Sequence, residues 1–544
     1  MGFNCYARDV GEAVYMKMAD AFVTNGMRDA GYTWLNLDNG FIGGRVDGKL
    51  VCHNGPDQFP SGTLAPLAAH VNALNLSLGA YTDRGYMTCG NVAPGSLGYE
   101  AVDAATFVSW GVRWIKSDSC SATSQFSEAR AQYAAMEAGF AATGEDVFFE
   151  LCGWWAAYAG LGVGDAWRIA TDVATPTRWL VNVEAAASVA GFTGPGRGWP
   201  DVDMIGGFWP ADAERWRLSL IALIGAPLLL SWDVRQANAS TLGIAAYLNP
   251  ELLSIHGDDA APSVAARGRY YSRVAGGQVT GPASNYSYPA GFLETAAPCE
   301  GNASQWRWIP AGANLSWGTL ESLASPGYCI GLYDSFPGTY CLLPLLAQLV
   351  PCGRNHDGCS TDSQVWGLAP AAAPGGGTTL STLLDWSGGP NHMPRPGALL
   401  TTLPEGVPSA IYVQAGVGPG GAPGLNQTWL TSLPPQGAPS GTVTTLRSAG
   451  SGQCLAAPTF GVTNAWVRWL ANGDIALLLF NTGAPGTVAR CDAACFGAFA
   501  GGVATWRARD VWARTDAPNI TSAEGVAAVL PSWGSLLLRL TPRS

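Results

Sequence analysis

Six aspartates in the N-terminal half each close a short apolar run: Asp38, Asp83, Asp118, Asp172, Asp203 and Asp233. Two of them travel with a cation. WIKSDSC (114–120) sets Lys116 two residues before Asp118, and WRIATD (167–172) sets Arg168 four before Asp172. Side chains two apart on a strand share a face, so each cation is expected on the same side as its aspartate. A neighbouring cation favours an ionised carboxylate, the state a nucleophile needs; a carboxyl crowded by other carboxylates keeps its proton and suits acid/base work. A lone aspartate after a strand more often caps the following helix. Six on one rim are more than capping explains.

The elements that must carry these residues alternate. Strands are expected at 2–6, 32–38, 76–83, 114–118, 147–152, 167–172, 201–205 and 227–233, with helical periodicity between them. Val14, Met18, Ala21 and Phe22 mark one helix face, and Tyr133, Met136 and Phe140 another. Eight such units fit an α/β fold of the (β/α)8 TIM-barrel type, usually ~250 residues, with active-site groups at the C-terminal ends of the strands. No glycine-rich phosphate loop follows the first strand, which disfavours the doubly wound alternative. The five histidines form no HExxH-like spacing, so no metal or other cofactor is expected. No G-x-S-x-G elbow points to a serine hydrolase.

Composition bounds the partners. Charged residues make up 13% of the 544 and the net charge is −11, which gives no electrostatic footprint for nucleic acid. The longest apolar run, 218–232, is short and broken by Gly225 and Pro227, so no membrane span is expected. Seven N-x-[ST] sequons (Asn75, Asn238, Asn285, Asn302, Asn314, Asn426 and Asn519) and 13 cysteines suit the secretory pathway. No signal peptide opens the chain at MGFNCY, so the natural N-terminus is expected upstream. Oligomeric state is left open.

The motifs GFNCY, DAGYTWLNLD, QFPSG, LGAYTDRG, WIKSDSC, WRIATD, GWPDVDM and APLLLSWDVR, in that order, resemble glycoside hydrolase family 27. These are retaining α-galactosidases and α-N-acetylgalactosaminidases, and the likeness covers roughly 1–257 and 464–544. The resemblance implies Asp118 as nucleophile and Asp172 as acid/base, their carboxyls ~5–5.5 Å apart as in retaining enzymes. It further implies that Asp38, Tyr81, Lys116, Arg168 and Asp203 hold sugar hydroxyls, with Tyr6 where the family has tryptophan. It implies disulfides Cys89–Cys120 and Cys491–Cys495. Two departures bear on the substrate. Asn39 replaces the second of two adjacent acids, and LCGWWAAY puts Gly153 where galactosidases carry a glutamate against the 2-hydroxyl. The acetamido-sugar branch is small at the positions of Gly153 and Ala156; Glu150 or a tryptophan such as Trp154 is the alternative partner for the 2-hydroxyl. The expected substrate is an α-galactoside; an α-N-acetylgalactosaminide, another pyranoside such as a β-L-arabinopyranoside, and a sugar-binding barrel without catalysis are the alternatives.

The remaining expectations concern organisation: a catalytic barrel over 1–257, the start of an antiparallel β-sandwich at 258–280, an inserted region at 281–463, and the rest of the sandwich at 464–544. The insertion is rich in Gly and Pro and carries Cys299, Cys329, Cys341, Cys352, Cys359 and Cys454, enough for three bridges in 15 connectivities. Its QVW (364–366), PGYCIGL and SGQCLAA fragments resemble the β-trefoil of ricin-type lectins; a cysteine-stapled irregular β region is the alternative. Around Asn472-Gly473, residues 464–483 read as a hairpin, and 525–540 reads as another.

Overall fold

The structure, a computed structural model, describes residues 11–259 except 123–125, 154–155, 171, 174–175 and 237–239; 270–280 except 275–276; separated segments between 294 and 456; and 465–543 except 482–484. Strands Trp34–Asn36, Ser77–Asp83, Val112–Asp118, Phe148–Leu151, Ala166–Arg168 and Trp199–Asp201 pair in chain order as one parallel sheet. Ile205 and Leu230 add a parallel bridge toward the last expected strand. The first, at 2–6, lies outside the described residues. Helices Ala65–Ala73, Glu100–Ser109, Phe126–Thr143, Pro176–Ser188 and Ala211–Ile224 follow successive strands; after Phe148–Leu151 only the 3-10 turn Ala156–Gly160 intervenes. This is the (β/α)8 barrel.

Helix faces follow the 3.6-residue period with one shift. Tyr133, Met136 and Phe140 are buried; in Glu12–Thr24 the buried stripe is Tyr15, Met18, Ala19, Ala21 and Phe22, so only Val14 of the expected face is half-exposed. A cavity of about 430 Å³ opens at the opposite end of the barrel from the aspartate rim, between Trp34, Trp114, Phe148, Trp199 and Tyr270. It adjoins Trp34, Asn36 and Leu228–Leu230 and is remote from the rim carboxylates.

The C-terminal β-sandwich has two antiparallel sheets. One orders Thr515–Thr521, Thr505–Asp510, Ser535–Arg543, Ile475–Phe480, Ala465–Trp469 and Tyr271–Arg273; the other Gly277–Thr280, Thr487–Cys491 and Val526–Leu530. Ile475–Phe480 explains why its sequence is apolar without alternation: Ala476, Leu478 and Phe480 join the barrel core, while Ile475, Leu477 and Leu479 fill the sandwich. The interface is pinned by Arg509 on Glu251 (2.7 Å) and by the Phe480 ring against Trp216, 5.2 Å between centroids. Residues 465–480 form the expected hairpin. Residues 525–540 do not. Val526–Leu530 pairs with Thr487–Cys491, whereas Ser535–Arg543 pairs with strands of the other sheet. Pro531, which has no N–H to give a ladder, and Trp533, at φ +61°, carry the chain from one sheet to the other.

Between these parts, described strands from Glu294–Ala296 to Cys454–Ala456 form a 13-stranded antiparallel network whose first and last members pair with each other. Cys299–Cys454 and Cys329–Cys352 are bonded; Cys341 and Cys359 lie outside the described residues. Trp306, Trp308, Trp366 and Trp429 are fully buried. Trp366, the tryptophan of QVW, donates to Ile330 O (3.0 Å) as a core residue.

Candidate active site

Asp118 ends Val112–Asp118 and is no helix cap: its Oδ1 accepts the next N–H, of Ser119, at 2.9 Å, and the following helix begins at Phe126. Parallel register places Asp83 beside Asp118 and Tyr81 beside Lys116. Tyr81 donates to Asp118 Oδ2 at 3.0 Å, and the sulfur of Cys89, bonded to Cys120, lies 3.2 Å from the same oxygen. The cation expected beside Asp118 does feel its charge, but its ion pair is made with another carboxylate. Lys116 Nζ meets Asp38 Oδ2 at 2.9 Å, both side chains 7% exposed. Burial opposes the charge on Lys116, but Asp38 overrides it and holds the ammonium well above its ordinary pKa. Lys116 and Asp118 share one strand, but the loop after Trp34–Asn36, two strands away in the sheet, supplies the nearer carboxylate.

Arg168 is the second hub. Its guanidinium, 2% exposed, reaches Asp172 (2.8 Å), Asp203 (3.3 Å) and Asp201 (3.6 Å). Strand pairing stops at Arg168, so Asp172 belongs to the loop beyond and meets Arg168 because the arginine is long, not because the pleat aligns them. The Asp172 side chain is 49% exposed. The protein packed about it raises its pKa, Arg168 and Lys116 pull it down, and Asp203 pushes it up; the balance is a raised value. Asp203 sits at φ +81°, a left-handed conformation rare outside glycine. Its carboxylate accepts Val173 N–H (2.6 Å) and Met204 N–H (2.7 Å), joining the loops that carry Asp172 and itself.

The thiol of Cys152 ties the two halves together. Burial raises its pKa first, then Asp118, and Asp172 adds to it. Lys116 and Arg168 oppose the two carboxylates there. Asn39 gives its amide N–H to Cys89 O (2.9 Å), and its buried Oδ1 has no donor. Gly153 is enforced by contact: a Cβ there would lie 2.6 Å from the Tyr158 ring and hydroxyl and 2.7 Å from Ser119 Oγ. No glutamate can stand there without displacing Tyr158. Glu150 does not take over that role; it is fully buried and its Oε2 accepts Trp114 Nε1 at 2.8 Å. Tyr6 and Trp154 lie outside the described residues.

Two of the six rim aspartates serve the scaffold. Asp83 is fully buried and accepts the N–H groups of Gly85 (2.7 Å) and Cys120 (2.8 Å); burial and Asp118 push it up to about 7. Asp233 is engaged by Arg235 (2.8 Å) and Gln236 (3.0 Å) of its own turn. Arg84 went unnoticed in sequence, although TDRG buries a charged pair: its Nε donates to Ser119 Oγ at 2.9 Å, which is also 2.8 Å from Tyr133 Oη. Asp83, Cys89, Asp118 and Cys120 place potential ligand atoms within 4.8 Å, but the two sulfurs are bonded to each other and offer no thiolate.

The family profile described as alpha galactosidase A matches residues 4–258, and that of the alpha galactosidase C-terminal beta sandwich domain matches 461–540. Alpha-galactosidase of Oryza sativa subsp. japonica is 33% identical over 297 residues, 52% of this chain and 69% of that protein. The chain belongs to the α-galactosidase family, glycoside hydrolase family 27. Alpha-N-acetylgalactosaminidase of Homo sapiens is 35% identical over 276 residues, 47% of this chain and 64% of that protein. The chain spans 63% of the length of the probable alpha-galactosidase of Dictyostelium discoideum and 59% of that of alpha-galactosidase 3 of Arabidopsis thaliana. The fold of the α-galactosidase from Saccharomyces cerevisiae superposes with a TM-score of 0.59 at 17% identity, covering 100% of this chain and 96% of that one.

Proposed function

We propose that this family member hydrolyses terminal α-galactosides with retention, through a covalent glycosyl-enzyme. The observation that carries the reading is the unequal setting of two carboxylates about Cys152. Asp118 accepts an O–H and an N–H, which fix the orientation of its carboxylate as a nucleophile requires. Asp172 has a raised proton affinity and an open side chain, the setting of a group that protonates a leaving oxygen and then activates water. Asp38 and Lys116, Asn39 Oδ1, Arg168 and Asp203 supply the polar groups for sugar hydroxyls. Tyr6, Trp154 and Tyr81 complete the candidate set. The reading also takes 281–463 as an insertion within the sandwich domain.

A second reading, α-N-acetylgalactosaminide hydrolysis, is favoured by Gly153, where Tyr158 and Ser119 exclude an acid from the 2-position, and by the 35% identity to the human acetylgalactosaminidase. The test compares p-nitrophenyl α-galactoside with its 2-acetamido analogue, in wild type and Asp118→Asn. Faster cleavage of the galactoside, abolished in the variant, is expected. Faster cleavage of the acetamido sugar selects the second reading; cleavage of neither defeats both. We further propose passage through the secretory pathway, in keeping with four disulfides and exposed sequon residues Asn75, Asn302 and Asn519. No helix among the described residues is long and apolar enough to cross a membrane.

A further inference from the structure

Beneath the rim lies a carboxyl pair the mechanism does not use. Glu150, 0% exposed, and Asp201, 2% exposed, sit on the two strands that flank Ala166–Arg168 and interact with each other inside the barrel. Trp114 covers Glu150 Oε2 at 2.8 Å, but Oε1 has no N–H or O–H donor. Two ionised carboxylates cannot satisfy one another, and a buried acceptor without a donor is costly. One proton between them removes both penalties. We propose that Glu150 is held as a neutral carboxylic acid that donates to Asp201, and is thereby a positioning residue for the acid/base.

The path runs through named bonds. Asp201 Oδ1 accepts the N–H of Asp203 at 2.7 Å, which helps to hold Asp203 in its left-handed conformation. Asp203 and Asp201 together flank Arg168, and Arg168 tethers Asp172. The groups facing Glu150 pull in both directions, and the Trp114 N–H favours the charged form. Burial and Asp201 raise its proton affinity; Lys116 opposes them, but its ammonium is already paired with Asp38. The last link rests on the assignment of Asp172 as acid/base.

The proton is read by infrared spectroscopy of the whole chain labelled with ¹³C in glutamate carboxyls. At pH 7 the wild type should show a deuterium-sensitive carboxylic-acid band that moves with the label and is absent from Glu150→Gln. An amide N–H replaces the O–H donor in that variant, so kcat/KM on the α-galactoside should stay within about threefold of wild type, whereas Glu150→Met, of similar volume but without a donor, should fall about tenfold or more. Absence of any protonated glutamate in wild type overturns the proposal even if the variants fail to fold. So does a band that persists in Glu150→Gln, or equal activity of the two variants. If Asp172→Asn retained activity while the band was present, the acid/base assignment would fail and the proton pair would stand.

Discussion

Lys116→Met separates two accounts of the lysine. At 2.9 Å from Asp38, with both side chains 7% exposed, the ion pair has a gross attraction of about 6 kcal/mol at an effective dielectric of ~20. Desolvation offsets much of that, but removing one partner leaves Asp38 buried with, among the described residues, the Asn39 N–H, so a loss of about 3–5 kcal/mol is expected. Asp38→Asn should cost a comparable amount by stranding the ammonium. The double variant should cost less than the sum by about 2 kcal/mol or more, because neither charge is then left alone. Urea unfolding followed by tryptophan fluorescence measures this, read on the transition that Lys116→Met displaces, since a chain with several parts need not unfold in one step. Lys116 has a raised folded pKa, so its contribution is complete below the unfolded lysine value of about 10.4 and is lost only as pH climbs through the folded one. The difference from wild type should therefore be flat across neutral pH. A coupling of Lys116→Met with Asp118→Asn as large as that with Asp38→Asn would refute the pairing and restore Lys116 as the guard of Asp118.

Three further outcomes follow from contacts already described. Gly153→Ala should lower stability by about 1–3 kcal/mol in thermal or urea unfolding, because the new methyl overlaps Tyr158 and Ser119 Oγ; an unchanged midpoint would show that Tyr158 yields freely. Arg168→Met removes a group that lowers the proton affinity of Asp172, so the alkaline limb of the pH–rate profile, where the acid loses its proton, should move to higher pH while peak kcat/KM falls; a limb moving downward contradicts Asp172 as the acid. Cys89→Ser opens a bridge between residues 31 apart, for which chain entropy gives about 3–4 kcal/mol; a variant as stable as wild type would mean that Asp83, through Gly85 and Cys120, suffices to hold those loops.

Periodicity within an element was a dependable guide, and partners between elements were not. The alternation of strands and helices, the rim of aspartates and the turn at Asn472-Gly473 are local patterns, and they carried over to the fold. The mistaken expectations share a cause. Lys116 was expected on Asp118 from spacing two residues apart, and Asp118 does act on it, but its ion pair is with Asp38, from a loop 78 residues away in sequence. The run 525–540 has the length and punctuation of a hairpin, but whether a strand returns to its neighbour or crosses to a facing sheet depends on what else occupies the edge, and here Thr487–Cys491 does. Asp83 and Asp233 matched Asp118 in type and position, and only the direction of nearby N–H groups distinguishes a loop anchor from a reactive carboxylate.

Glu150 shows the same limit most sharply. Its sequence context, VFFELC, reads as one polar residue in a buried strand and invites the idea of a ligand for substrate. Parallel pairing instead turns it inward, between Trp114 from the preceding strand and Asp201 from two strands further on. A barrel interior that admits a carboxyl must supply a donor for each oxygen or keep a proton there. The aspartate rim and this inner pair are therefore one electrostatic problem. Lys116 and Arg168 must be shared among Asp38, Asp118, Asp172, Asp201 and Asp203, and a sixth charge on Glu150 would draw Lys116 away from Asp38. Keeping Glu150 neutral leaves each cation with the partners it has at the rim.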